Sequence, residues 1–135
     1  DMLESVGITV LDAISFTADT LLPQLEVKNP ADSVTVHPTC SAFQLGMMED
    51  VEKVARAAAA EVHIPTDWNC CGYAGDRGML HPELTDAATR AEAAQVKEIG
   101  AQYHSSTNRT CELGLTRATG EDYHHILELL EQATR

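Results

Sequence analysis

The 135-residue sequence predicts an α/β fold, a small Rossmann-like parallel sheet of about four strands with helices on both faces, and three observations point to it. Short runs of β-branched and apolar residues alternate with longer segments whose apolar residues recur at helical spacing. Prolines and glycines stand at the ends of these segments rather than inside them. Strands that alternate with helices pair as parallel neighbours through right-handed crossovers.

Taken in order, Ile8-Thr9-Val10-Leu11 leads to Asp12, a good N-cap, after which Ile14, Ala18, Leu21, Leu22 and Leu25 have helical spacing. This is a lead-in helix, with Pro23 in its last turns, and Asn29-Pro30 is a loop. Val34-Thr35-Val36-His37 is the first strand, stopped by Pro38, which cannot donate to a ladder. Residues 41–60 read as a short turn ending near Gly46 and then an alanine-rich helix from about Glu49. Glu61-Val62-His63-Ile64 is a second strand ended by Pro65. Pro82 suits the first turn of a long helix that runs to about Ile99 and is capped by Gly100. Residues 102–106 form a third strand, followed by a helix that ends at Gly120. Residues 122–126 pair as a fourth strand before a terminal helix, 127–133, in which Leu127, Leu130 and Ala133 share a face.

The length fits one domain, with residues 1–30 as a lead-in helix and linker and 31–135 as the core. Nine Lys and Arg against twenty-one acids give a formal net charge of −12, which argues against nucleic acid or an anionic membrane surface as a partner. No run is apolar enough to cross a bilayer and no signal-peptide pattern opens the chain, so a cytoplasmic domain is expected. The chain opens at Asp1 and has no nucleotide or flavin fingerprint, as a piece of a longer polypeptide would.

Four cysteines are too few for a disulfide scaffold, and their placement points to metal or redox chemistry. Cys70 and Cys71 are adjacent, at a Cα spacing of about 3.8 Å, where unstrained disulfides prefer about 4.4–6.8 Å. Two thiols held at one point suit a shared metal or cluster, and Gly72 and Gly75 let the backbone turn sharply beside them. Cys40, Cys70/Cys71 and Cys111 each follow a predicted strand and precede a helix, so all four sulfurs should meet at the carboxyl edge of the sheet. Helix N-termini at that edge are expected to lower thiol pKa values.

These motifs resemble the cysteine-rich CCG domain family of heterodisulfide reductase, the iron-sulfur subunit of glycolate oxidase and lactate-utilisation proteins. The family pattern is a lone cysteine, a distant Cys-Cys-Gly and then Cys-x-x-Cys. His37-Pro38-Thr39-Cys40, Cys70-Cys71-Gly72 and Cys111-Glu112-Leu113-Gly114 occupy those places. The stretch from Cys70 to Gly78 is most similar to the C-terminal region of flavin-linked D-lactate dehydrogenases with a fused iron-sulfur part. The resemblance implies an electron-transfer domain holding an iron-sulfur cluster, possible as [4Fe-4S], on Cys40, Cys70, Cys71 and Cys111. It further implies a parent enzyme with FAD and ferredoxin-like domains as partners, either cytoplasmic or peripheral at the cytoplasmic face of the membrane. Gly114 replaces the family's last cysteine, which disfavours the family's five-thiolate, non-cubane cluster. Four thiolates still suit an ordinary [4Fe-4S] centre or tetrahedral zinc.

Two other readings remain open, a zinc-binding or metal-free docking module and a thiol-disulfide couple. His37, before a proline at a strand end, reads as a hydrogen-bonding structural residue rather than a ligand. Trp68 reads as a hydrophobic lid on the cysteine loop, Asp76 and Arg77 as an exposed pair, and His63, His104, His124 and His125 as structural or solvent-facing. The acidic pairs Glu49-Asp50 and Glu128 with Glu131 read as solvated helix faces.

Overall fold

In the computed structural model, which describes residues 4–135, four strands form one parallel sheet in the order β2-β1-β3-β4. They are β1 (Ala31–Val36), β2 (Ala59–His63), β3 (Tyr103–Ser106) and β4 (Tyr123–His125). Thr35 sits between His63 on one side and His104 on the other, and Ser105 is in register with His124. The α/β architecture with about four parallel strands is therefore as the sequence predicts.

The lead-in helix begins as α1 (Ala13–Phe16), where Asp12 accepts a hydrogen bond from the Ile14 N–H at 2.7 Å. It then widens into a π-turn over Thr17–Leu21 and tightens to 3₁₀ at Leu22–Gln24. Thr17 Oγ1 bonds back to the Ala13 carbonyl at 2.7 Å, a local competitor to regular helix, and Pro23 removes a donor. Next come α2 (Cys40–Gln44), α3 (Met48–Ala58), α4 (Arg77–Leu80), α5 (Pro82–Ile99), α6 (Arg109–Thr119) and α7 (Ile126–Ala133). β1 begins three residues before the apolar run that announces it, because Ala31 and Ser33 find ladder partners in Ala59 and Glu61.

The strand order fixes which helix lies on which face. From β1 the chain steps outward to β2, and from β2 it returns past β1 to β3, so right-handed crossovers place α3 on one face and α5 and α6 on the other. The packing agrees, since α5 lies against α6, and α3 lies against α7 and the lead-in helix. Val34, Val36, Val51, Val54, Ile126 and Leu130 belong to the larger core, on the α3 and α7 side. A smaller cluster of Cys71, Tyr73, Cys111, Leu115 and Tyr123 forms a separate core that includes two of the cysteines.

The notch that admits Tyr73 to this small core depends on Gly78. A Cβ built there would lie 2.7 Å from Tyr73 Cγ and 2.9 Å from its Cα, and the Gly78 N–H already donates to the Tyr73 carbonyl at 2.7 Å. Gly78→Ala is expected to cost about 1–3 kcal/mol by overpacking, read as a lower urea midpoint. An unchanged midpoint would show that the loop relaxes freely.

Candidate metal centre

β1 and β3 are neighbours, yet the chain leaves them towards opposite faces, and this divergence opens a crevice at their carboxyl ends. Cys40 is the first residue of α2, after β1, and Cys111 lies in the first turn of α6, after β3. Thr39 caps α2, accepting from the Ala42 N–H at 3.2 Å, and its hydroxyl meets that of Thr107 at 3.0 Å, which ties the two loops together. Asn108 caps α6 through the Thr110 N–H at 3.0 Å. The Cys-Cys loop enters from β2. Its backbone is left-handed at Gly72, Ala74 and Gly75. A Cβ at Gly72 would come within 3.2 Å of the Leu84 carbonyl, so this loop lies directly on α5.

The four cysteines form two neighbouring pairs. Cys71 and Cys111 are buried with their sulfurs 3.2 Å apart, hydrogen-bonded and free of any disulfide. Cys40 is half-buried and its thiol is near enough to that of exposed Cys70 for the two to influence each other's charge. The vicinal pair is thus split, one sulfur facing the core and the other facing solvent.

The pairing divides the thiols electrostatically. The hydrogen bond with Cys111, helped by the Tyr73 N–H and the nearby His37, lowers the Cys71 pKa to about 6 against the cost of burial. Cys111 goes the other way and is raised far above the ordinary thiol range, because once Cys71 is a thiolate the Cys111 S–H is held as its donor in a buried place. Burial, Cys70 and the neighbouring thiolate charges raise Cys40 to about 11. The expectation that helix N-termini would lower these thiols therefore fails for Cys40, where burial outweighs a partial helix charge, and for Cys111, where the partner thiol does.

In metal-free protein one thiolate is expected to appear near pH 6, read by its ultraviolet absorbance, with no second buried thiol following it before strongly alkaline pH. Cys71, with a depressed folded pKa, contributes stability above the unfolded thiol range that is lost as pH falls through about 6. Cys40, with a raised pKa, contributes stability below that range that is lost as pH rises through about 11. A first titration at the ordinary thiol value would contradict this account.

His37 forms the hydrogen bonds expected of a structural residue, with its Nδ1 at 2.8 and 2.9 Å from the two carboxylate oxygens of Glu92. Nothing local marks Glu92, which lies mid-helix in a segment of small and charged residues. The only hint was its spacing, since Thr85, Thr89, Glu92 and Val96 form one buried stripe of α5. Among the described residues, the one group of three or more metal-ligating side chains with ligand atoms mutually within 4.8 Å is His37, Cys71 and Cys111. Trp68 is half-buried and meets Phe43 edge-on at 5.7 Å, in keeping with a lid on the loop. Asp76 and Arg77 are exposed. His125 caps α7 and His124 faces Glu128, whereas Asp50 is less solvated than expected and accepts a hydrogen bond from Ser15 of the lead-in helix.

Two pairs of thiols beside a buried imidazole are a donor set for zinc or iron-sulfur chemistry and a poor one for hard cations such as magnesium or calcium. At position 114, where the resemblance places a fifth thiol, a Cβ would meet Thr85 and Tyr73 at 3.1 and 3.3 Å, and their side chains fill that space.

Lactate utilization protein A of Oceanobacillus iheyensis is 28% identical over 105 residues, which are 72% of this chain and 43% of that protein. Lactate utilization protein A 1 of Bacillus mycoides is 24% identical over 106 residues, 73% of this chain and 43% of its own length. The chain thus spans less than half the length of these curated relatives. No solved structure matches it. The family pattern of the CCG cysteine-rich domain covers residues 34–116, from the middle of β1 through most of α6, and takes in all four cysteines. With more than half its length matched, the chain belongs to the CCG cysteine-rich domain family.

Proposed function

We propose that this chain is an electron-transfer domain in which Cys40, Cys70, Cys71 and Cys111 hold an iron-sulfur cluster. The observation that supports the reading is the contact of Cys71 with Cys111 beside His37, at the sheet edge whose loops also carry Cys40 and Cys70, with the Cys71 pKa lowered to about 6. A bound cluster would supply one-electron chemistry; the protein supplies the anionic sulfurs, a buried wall of Tyr73 and Leu115, and an open side at Cys70.

The likeness to lactate utilization proteins supports a role in the oxidation of lactate or a similar 2-hydroxy acid. In this reading the chain is a single domain from the C-terminal part of a larger, cytoplasmic or membrane-peripheral oxidoreductase. Flavin and ferredoxin-like domains of that parent do the substrate chemistry and deliver electrons. Exposed Phe43, Leu45, Met79, Leu80 and Leu84 lie on the segments around the cysteine loop, and an apolar rim of this kind suits docking of such a domain. Among the described residues no helix is long and apolar enough to cross a membrane.

Anaerobic reconstitution with iron and sulfide tests the proposal. Stoichiometric iron with a broad visible absorbance that bleaches on reduction is the expected result. Stoichiometric zinc with no redox response would favour a docking module instead, and a Cys71–Cys111 disulfide without metal uptake would favour thiol-disulfide exchange.

A further inference from the structure

The His37–Glu92 pair asks more of the site than four thiols explain. Both side chains are fully buried, at 0% and 1% exposure. Glu92 has no hydrogen-bond partner other than His37 among the described residues, and its two oxygens converge on Nδ1. A buried carboxylate that faces only an imidazole fixes the tautomer, with the proton on Nδ1 donated to Glu92. When the ring is neutral, as a metal ligand must be, the opposite nitrogen, Nε2, presents a lone pair. It is buried and has no hydrogen-bond partner, and the histidine has a ring nitrogen within 4.8 Å of both the Cys71 and Cys111 sulfurs.

We infer that His37 Nε2 is a ligand of the metal group at this centre, with Glu92 as the residue that orients it. The inference rests on the proposed reading that the cysteines hold a metal. A purely structural histidine would be satisfied through Nδ1 and would have no reason to bury a bare lone pair against two sulfurs. A carboxylate behind an imidazole, with the far nitrogen free, is the arrangement that fixes ring orientation and raises ligand basicity in metal sites. The backbone of the residue is held by β3, since the His37 N–H donates to the Ser105 carbonyl at 2.8 Å and Ser106 Oγ donates to the His37 carbonyl at 3.2 Å.

The test uses the whole chain labelled with ¹⁵N-histidine and loaded anaerobically with iron and sulfide, or with zinc alone. Strong ¹⁵N hyperfine coupling in the reduced iron form, or an imidazole shell beside sulfur in X-ray absorption of the zinc form, is expected. It should vanish in His37→Ala and persist in Glu92→Gln, with metal affinity lowered about 10–100-fold in the latter. Metal bound with sulfur ligation only and no nitrogen signal in the unmodified chain would overturn the inference and leave the proposed function standing. No uptake of either metal would overturn both. Because the decisive spectrum is taken on the unmodified chain, a variant that fails to fold does not affect the outcome.

Discussion

Cys71→Ser is expected to lower iron retained after reconstitution and desalting by at least about tenfold, while Cys70→Ser keeps a measurable fraction. Both residues belong to the vicinal pair, but their surroundings differ. Cys71 is buried and ionised near pH 6, so at neutral pH it offers a ready thiolate. A serine hydroxyl cannot ionise there, and its shorter bond withdraws the donor atom. Cys70 is exposed, and solvent can take its place. Cys111→Ala should act twice, because it removes a sulfur and also the hydrogen bond that lowers Cys71, whose titration in metal-free protein should then move up towards the ordinary thiol range. Iron analysis with circular dichroism as a folding control decides the matter, and full iron content in Cys71→Ser would sink the four-thiolate proposal.

Leu115→Ala is expected to cost about 2–5 kcal/mol in urea unfolding, the range for a leucine deleted from a well-packed core. Leu115 is 0% exposed. It sits one helical turn beyond Cys111 on α6, in the small cluster with Cys71, Tyr73 and Tyr123. That cluster has few members and polar neighbours, so little apolar material can move in to fill the space. The metal-free variant should also show a less depressed Cys71, since a loosened Cys111 is a weaker donor. A loss below about 1 kcal/mol would mean that the α6 side of the sheet collapses readily over the gap.

β1 was legible because it carries its own β-branched run and its own stop, Val34–Val36 before Pro38, whereas β3 and β4, Tyr103–Ser106 and Tyr123–His125, have no such run and were marked by the helix ends at Gly100 and Gly120 that precede them. The caps were legible for the same local reason, with Asp12 and Gly100 doing what their side chain or lack of one dictates. The meeting of Cys71 with Cys111 followed from topology, since residues placed after parallel strands end on one edge, whereas Cys40 and Cys70 lie outside the close group these two form with His37. Other features depend on contacts between distant segments. The split between Cys70 and Cys71 is set by how the Gly72 turn lies on α5. The burial of Glu92 depends on a histidine 55 positions away, and no local pattern marks it apart from the charged residues around it. The upward shift of Cys111 could not be read from its helix position, because it comes from a sulfur contributed by another loop.

The crevice between β1 and β3 has a consequence for how the domain matures. Its sulfurs come from three loops that are brought together only when β2, β1 and β3 have paired, so the unfolded chain offers at most the vicinal pair to a metal. Loading is therefore expected to follow folding, and a bound ion would bind the native state almost alone, raising its stability by mass action with the free metal concentration. In a cell short of metal the same chain would persist as a folded but less stable species, and its turnover would report the supply.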